Sequence, residues 1–170
     1  MRKILFTLAF TAVSFLGMAQ DIFQAARTND VAGIEQAVAQ GADLNKGNSR
    51  GFTPLILAIY NANEEAALWL LKNGANPNAQ DASGNTALMG AIFKGYPKLA
   101  EALVANGAHV NLVNLNQASP LVFAATFGQK AIAELLLKKG ANKDLKDNSG
   151  KTALDHARLQ ENTELITLLQ

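Results

Sequence analysis

Residues 51–78 read GFTPLILAIYNANEEAALWLLKNGANPN, and this stretch opens with the signals of a short helix. Thr53 can cap the helix because its hydroxyl accepts a hydrogen bond from a backbone amide of the first turn. Pro54 suits the first helical position because it lacks the amide hydrogen that this position leaves unpaired. We therefore predict a helix from Pro54 to about Tyr60.

A second helix follows within the same stretch. Asn61-Ala62-Asn63 interrupts the apolar pattern, and Glu64 then begins a segment whose apolar residues recur at helical spacing. Gly74 is a natural stop, since glycine accepts the left-handed backbone that often follows a helix. The stretch thus predicts two short helices joined by a tight turn.

This unit repeats along the chain with a period of 33 residues. A Gly-Ala pair closes each copy, at Gly41-Ala42, Gly74-Ala75, Gly107-Ala108 and Gly140-Ala141. Leucine and alanine inside the first helix keep the same period, as do Thr or Ser at its start. A fixed period of this length is typical of stacked repeats that bury a continuous core.

The segments between units carry turn signals. Asn48–Gly51, Asp81–Gly84 and Asp147–Gly150 each begin with Asn or Asp and end with glycine, which type I turns prefer. We predict that these segments form the tips of β-hairpin fingers. Gln117 replaces the glycine in the fourth unit, and there we expect a different, irregular turn.

The chain resembles the ankyrin-repeat family in its turn, helix start and helix stop, and the resemblance covers essentially residues 21–170. It implies an all-α repeat solenoid of about 4.5 to 5 helix-turn-helix units with β-hairpin loops. The domain then comprises residues 20–170, with repeats at about 21–47, 48–80, 81–113, 114–146 and 147–170. Family members often carry histidine after Pro-Leu, whereas this chain has Ile56, Met89, Val122 and Asp155, so the hydrogen bonds of that histidine are missing.

The first 19 residues differ from the rest. Arg2 and Lys3 precede an uncharged apolar run to Met18, with small residues Gly17 and Ala19 at its end. A cleaved secretory signal has this pattern, and the run is short for a membrane span of about 20 residues. We predict a signal peptide over residues 1–19 that is cut after Ala19, which places the mature protein in the periplasm or outside a bacterium and off the membrane.

Composition narrows the function further. The chain is 49% hydrophobic and 17% charged, which suits a folded domain, and it contains no cysteine. Without Arg2 and Lys3 it has 13 basic and 14 acidic residues, so no nucleic-acid partner is implied. We expect a monomer.

The sequence offers no catalytic constellation. His109 and His156 fall at different phases of the repeat, so they form neither a metal-ligand pair nor part of a triad. Glu64 and Glu65 are adjacent, and acidic residues favour a helix N-terminus for electrostatic reasons. We therefore predict no enzyme activity, no metal and no cofactor.

The resemblance implies that a protein partner binds the concave face, the surface lined by the finger tips and the first helices of the repeats. Several of its residues are large and apolar, as interfaces favour. Carried over by position, this face comprises Arg50, Phe52, Tyr60, Asn61, Ser83, Asn85, Phe93, Lys94, Leu115, Asn116, Ala118, Thr126 and Phe127.

Three functions fit these observations. The first is an exported binding module that inhibits, protects or scaffolds an exported enzyme. The second is a secreted effector that binds a host protein. The third is an enzyme or ligand-binding protein with a site between repeats.

Overall fold

The computed structural model describes residues 21–170, which form ten helices arranged as five successive pairs. The predicted signal peptide lies outside the described residues. Within 21–170 none of the helices has the length and apolar character that crossing a membrane requires. The helices are α1 Ile22–Arg27, α2 Val31–Ala39, α3 Pro54–Tyr60, α4 Glu64–Lys72, α5 Ala87–Lys94, α6 Pro97–Ala105, α7 Pro120–Thr126, α8 Lys130–Lys138, α9 Ala153–Leu159 and α10 Thr163–Leu169.

The first helix of each pair from the second onward begins with the predicted hydroxyl cap. The Thr53 hydroxyl accepts the Ile56 amide at 3.3 Å, and Ser119 does the same for the Val122 amide. Thr86 and Thr152 repeat this bond in the other units. The predicted bounds of α3 and the start of α4 are confirmed.

The second helices of the first four pairs end at glycine, as predicted. Gly41, Gly74, Gly107 and Gly140 have φ angles between 83° and 92°, which side chains with a Cβ rarely adopt. A Cβ at any of the four would meet no atom within 4 Å. The backbone conformation, and not space, therefore requires glycine there.

Stacking of like helices builds the core. First helices contact first helices and second helices contact second helices along the array. Leu88 and Ile92 of α5 and Leu103 of α6 are fully buried between these layers. Burying one such side chain contributes about 1.5–3 kcal/mol, so a repeat gains most of its stability from its neighbours.

The fingers differ from the predicted β-hairpins. Within residues 21–170 the only strand-like pairing is one bridge between Gln80 and Thr86. Each finger is instead a tight turn: the Gly84 amide donates to the Asp81 carbonyl at 2.9 Å, and the Asp81 amide donates to Asn85. One residue pair closes the turn, which leaves too few paired residues for strands. The fingers close without the family histidine.

The prediction of an irregular fourth finger is wrong. The Gln117 amide donates to the Asn114 carbonyl at 2.9 Å, as the glycine amide does in the other fingers. Gln117 adopts a φ of 56°, so it takes up the left-handed backbone that glycine provides elsewhere. Asn114 forces this geometry, because its side-chain oxygen accepts the Asn116 and Ala118 amides.

Asparagine side chains fix the spacing between neighbouring units. The side-chain oxygen of Asn78 accepts the His109 amide at 2.7 Å, and its nitrogen donates to the Gly107 carbonyl at 3.0 Å. Asn111 makes the same two contacts one repeat later, with Asn142 and Gly140. The finger tips therefore keep a constant register along the array.

Candidate functional site

Backbone hydrogen bonds between neighbouring fingers align the exposed tips. The Ala82 amide donates to the Arg50 carbonyl at 3.0 Å, and the Leu115 amide donates to Ser83 at 3.1 Å. The Asn148 amide donates to the Asn116 carbonyl at 2.9 Å. Predicted site residues Arg50, Ser83, Leu115 and Asn116 are thereby brought into one exposed row, in which Leu115 is 69% exposed.

Aromatic side chains form the centre of the concave face. Phe93 and Phe127 are 48% and 41% exposed, and their ring centroids lie 5.0 Å apart at 85°. Phe123 adds a third ring 5.8 Å from Phe127. We call Phe93, Phe123 and Phe127 the phenylalanine cluster. Edge-to-face contact holds the rings while large apolar areas stay open to solvent.

A second aromatic pair lies one repeat earlier. The rings of Phe52 and Tyr60 are 5.9 Å apart, and both residues are half-buried. Tyr60 lies over Gly90, where a Cβ would come within 3.2 Å of its ring. Burial, and next the charge of Asp81, raises the pKa of the Tyr60 hydroxyl. The hydroxyl therefore stays protonated and can donate a hydrogen bond to a partner.

Two predicted site residues are less accessible than the repeat pattern suggests. Ala118 is only 8% exposed, so its methyl group cannot contact a partner and we remove it from the concave face. It is buried because Asn114 draws its amide inward at 3.0 Å. Asn85 is half-buried, and its side-chain oxygen accepts the Asn114 amide group at 2.8 Å.

The remaining predicted residues lie at the ends of the first helices. Asn61 and Lys94 are exposed, whereas Thr126 is half-buried. The Asn61 side chain donates to the Leu57 carbonyl and the Thr126 hydroxyl donates to the Val122 carbonyl, both at 2.8 Å. These two side chains are held in place by their own helices, which lowers the entropy lost on binding.

Sequence reasoning missed Phe123 and Leu159. Phe123 follows the conserved-phase leucine by two positions and was absent from the positions carried over from the family. Leu159 is 63% exposed at the end of α9, at the same phase as Tyr60 and Phe93. Extending the phase by one more unit of 33 residues would have found it.

His156 contacts Asp147 across the last finger. Its Nε2 lies 2.7 Å from the Asp147 carboxylate, and both side chains are largely buried. Burial alone would raise the pKa of Asp147, but hydrogen bonds from the Ser149 hydroxyl, the Lys151 amide and the His156 ring hold that pKa well below its ordinary value. The pair closes the finger and faces no cavity, so its role is structural.

The described residues give no sign of a metal centre or a catalytic cluster. Within 21–170 no three His, Cys, Asp or Glu side chains come together as metal ligands would. A groove of about 320 Å³ lies beside the turn before α6, lined mainly by Ala62, Tyr96, Pro97 and Leu99. It holds one glutamate and one lysine, Glu64 and Lys98, and no nucleophile.

The repeats match a known family over almost the whole described chain. Residues 22–114 and 88–170 each match the family described as ankyrin repeats (3 copies). The chain belongs to the ankyrin-repeat family. A comparison with curated proteins gives no match.

Membership fixes the general role of this ankyrin-repeat protein. Ankyrin repeats generally mediate protein–protein interaction, and proteins built from them are typically binding modules without catalytic activity. The absence of a clustered set of reactive groups among residues 21–170 is consistent with that role. The exposed aromatic residues lie on the face that is open for a partner.

Proposed function

We propose that this ankyrin-repeat protein is an exported binding module whose concave face, centred on the phenylalanine cluster, binds another exported protein. The observation that carries the proposal is the pairing of Phe93 and Phe127. Two rings that are nearly half exposed and 5.0 Å apart form an apolar patch, and such a patch in a monomer marks an interface.

The fold suits a partner with a preformed surface. The stacked finger backbones and the short, capped helices hold the face rigid, so little conformational entropy is lost on binding. A rigid surface of this kind can cover an active site, shield an unstable enzyme or hold two proteins together. We propose that inhibition, protection or scaffolding of an exported enzyme is the biological role.

Export rests on the sequence of residues 1–19, with its basic start and uncharged apolar run. Fractionation of the producing bacterium, followed by mass spectrometry of the purified protein, tests it. We expect a mature chain that begins at Gln20, in the periplasm or the medium. A full-length chain in the cytoplasm would contradict export and leave binding by the concave face untouched.

Site-specific photo-crosslinking tests the binding surface. A benzophenone amino acid replaces Phe127 on the concave face or, as a matched control, Leu68 on the opposite surface, where it is 43% exposed. We expect light to yield one dominant protein adduct from position 127 in intact cells and none from position 68. Equal adducts from both positions, or an adduct from position 68 alone, would contradict the proposed surface.

A further inference from the structure

The concave face carries charge of a single sign. We consider its repeating outward positions: the two finger residues before the turn glycine or Gln117, the residue before the helix cap, and the last residue of the first helix with its successor. Within residues 21–170 these positions contain no aspartate or glutamate, and their four cations are Arg27, Arg50, Lys94 and Lys151.

These cations are poorly neutralised by the described part of the chain. Among residues 21–170 the ion pairs join Lys130 to Glu164, His156 to Asp147 and Arg158 to Asp155. None of them involves the four cations of the concave face. Arg27, Arg50 and Lys94 are exposed, and Lys151 is half-buried with its ammonium 3.2 Å from the Ser149 hydroxyl.

The carboxylates nearest to this face are engaged in local structure. Asp81 accepts the amides of Ser83 and Asn85 at 2.8 and 2.9 Å, and Asp147 is used in the same way in the last finger. Asp155 caps α9 through Thr152. The charge of Asp81 is still felt at Tyr60, so the positive potential is strongest away from that ring.

The opposite surface has the reverse character. The second helices expose six glutamates against four lysines, and the whole described chain has nearly balanced charge. The single-signed concave face is therefore a local feature and not a consequence of composition. The glutamates are Glu35, Glu64, Glu65, Glu101, Glu134 and Glu164, and the lysines are Lys72, Lys98, Lys130 and Lys138.

We infer that the partner is a protein with an acidic surface around an exposed large apolar side chain. This rests on the proposed binding function and names the chemistry of the partner. The apolar side chain packs on the phenylalanine cluster, and the acidic groups around it meet Arg50, Lys94 and Lys151. Such charge complementarity speeds association and rejects basic proteins more than it adds affinity.

A single-stranded nucleic acid fits this face less well. Nucleobases stack on flat, open aromatic faces next to rows of cations. Phe93 and Phe127 meet at 85°, so the edge of one ring covers part of the other and no open platform is formed. Acidic protein side chains need no such platform.

Selection from a displayed library of random 12-residue peptides tests the inference on the mature protein. We expect enriched peptides to be acidic and to contain a large apolar residue, with binding that weakens as salt is raised. Fluorescence anisotropy with one such peptide then compares the wild type with Arg50→Glu/Lys94→Glu. We expect about a tenfold loss of affinity or more, and little change in the control Lys72→Glu/Lys98→Glu.

The outcomes separate the inference from the function on which it rests. Peptides that bind but show no acidic bias, or that tolerate charge reversal while Phe127→Ala abolishes binding, overturn the acidic partner and leave the concave-face function intact. Binding that survives Phe127→Ala contradicts both. Equal or tighter binding of a 12-nucleotide single-stranded DNA overturns the assignment to a protein partner.

Discussion

At the scale of single residues, glycine in the fingers has two separate tasks. Gly84 and Gly150 share a φ of 77°, so both relieve the strain of a left-handed backbone. Only Gly84 also lies against the next finger, where a Cβ would be 2.8 Å from the Leu115 amide nitrogen. A Cβ at Gly150 would meet nothing within 4 Å. The two positions therefore separate backbone strain from finger stacking.

Alanine at these two positions should give different losses of stability. We expect Gly150→Ala to lower the free energy of unfolding by about 1–2 kcal/mol, the cost of a left-handed alanine. Gly84→Ala should cost clearly more because the new methyl group pushes Leu115 away from the Ser83 carbonyl. Urea titration followed by circular dichroism measures both. Equal losses would show that the fingers do not stack as described.

Asp147 makes stability depend on pH. Its pKa is lowered in the folded chain, so its contribution is fully present above its unfolded pKa of about 3.9 and is lost as pH falls through the lower folded value. We expect Asp147→Asn to be less stable than wild type at pH 7, with the difference shrinking below about pH 4. Urea titrations at several pH values measure this. A difference that persists unchanged at pH 2.5 would contradict the assignment.

At the scale of elements, the asparagines after the second helices connect neighbouring repeats. Asn78 donates to one backbone group of the next repeat and accepts from another, whereas Asn106 donates only to the Ala102 carbonyl of its own helix. We expect Asn78→Ala to cost about 1–3 kcal/mol and Asn106→Ala to cost less. Thermal unfolding measures both, and a larger loss for Asn106→Ala would contradict the role given to Asn78.

The helices could be predicted from the sequence because their signals are local. A hydroxyl cap before α3 and a glycine after α4 each act within one turn of backbone, so Thr53 and Gly74 mark the two helix ends. The shape of the fingers was harder to predict. Gln117 lacks the local signal for its turn and is held there by Asn114, whose side chain bonds two amides of the same finger.

The candidate surface was only partly predictable for the same reason. Repeat phase identified Phe93 and Phe127, because their exposure follows from position in the unit. Phase could not show that Ala118 is buried, since a hydrogen bond from its own amide to Asn114 draws it inward. It also could not show that Phe123 joins the phenylalanine cluster, which depends on contact with Phe127 across a helix end.

At the scale of the whole molecule, a uniform core supports a varied surface. Leucines and alanines at fixed phases bury themselves between units and are nearly the same in each repeat. The concave face differs from repeat to repeat, with aromatic rings in the centre and cations around them. Stability and partner choice are thereby assigned to different residues, so surface variants should fold normally.

The most direct measurement of the central claim is the affinity of the crosslinked partner by isothermal titration calorimetry. Wild type is compared with Phe93→Ala/Phe127→Ala and with the control Leu68→Ala, all three shown to be folded by circular dichroism. Truncated interface anchors cost about 2 kcal/mol or more, so we predict at least about a 30-fold weaker Kd for the double variant and no change for the control. An unchanged Kd in the folded double variant would contradict binding through the concave face.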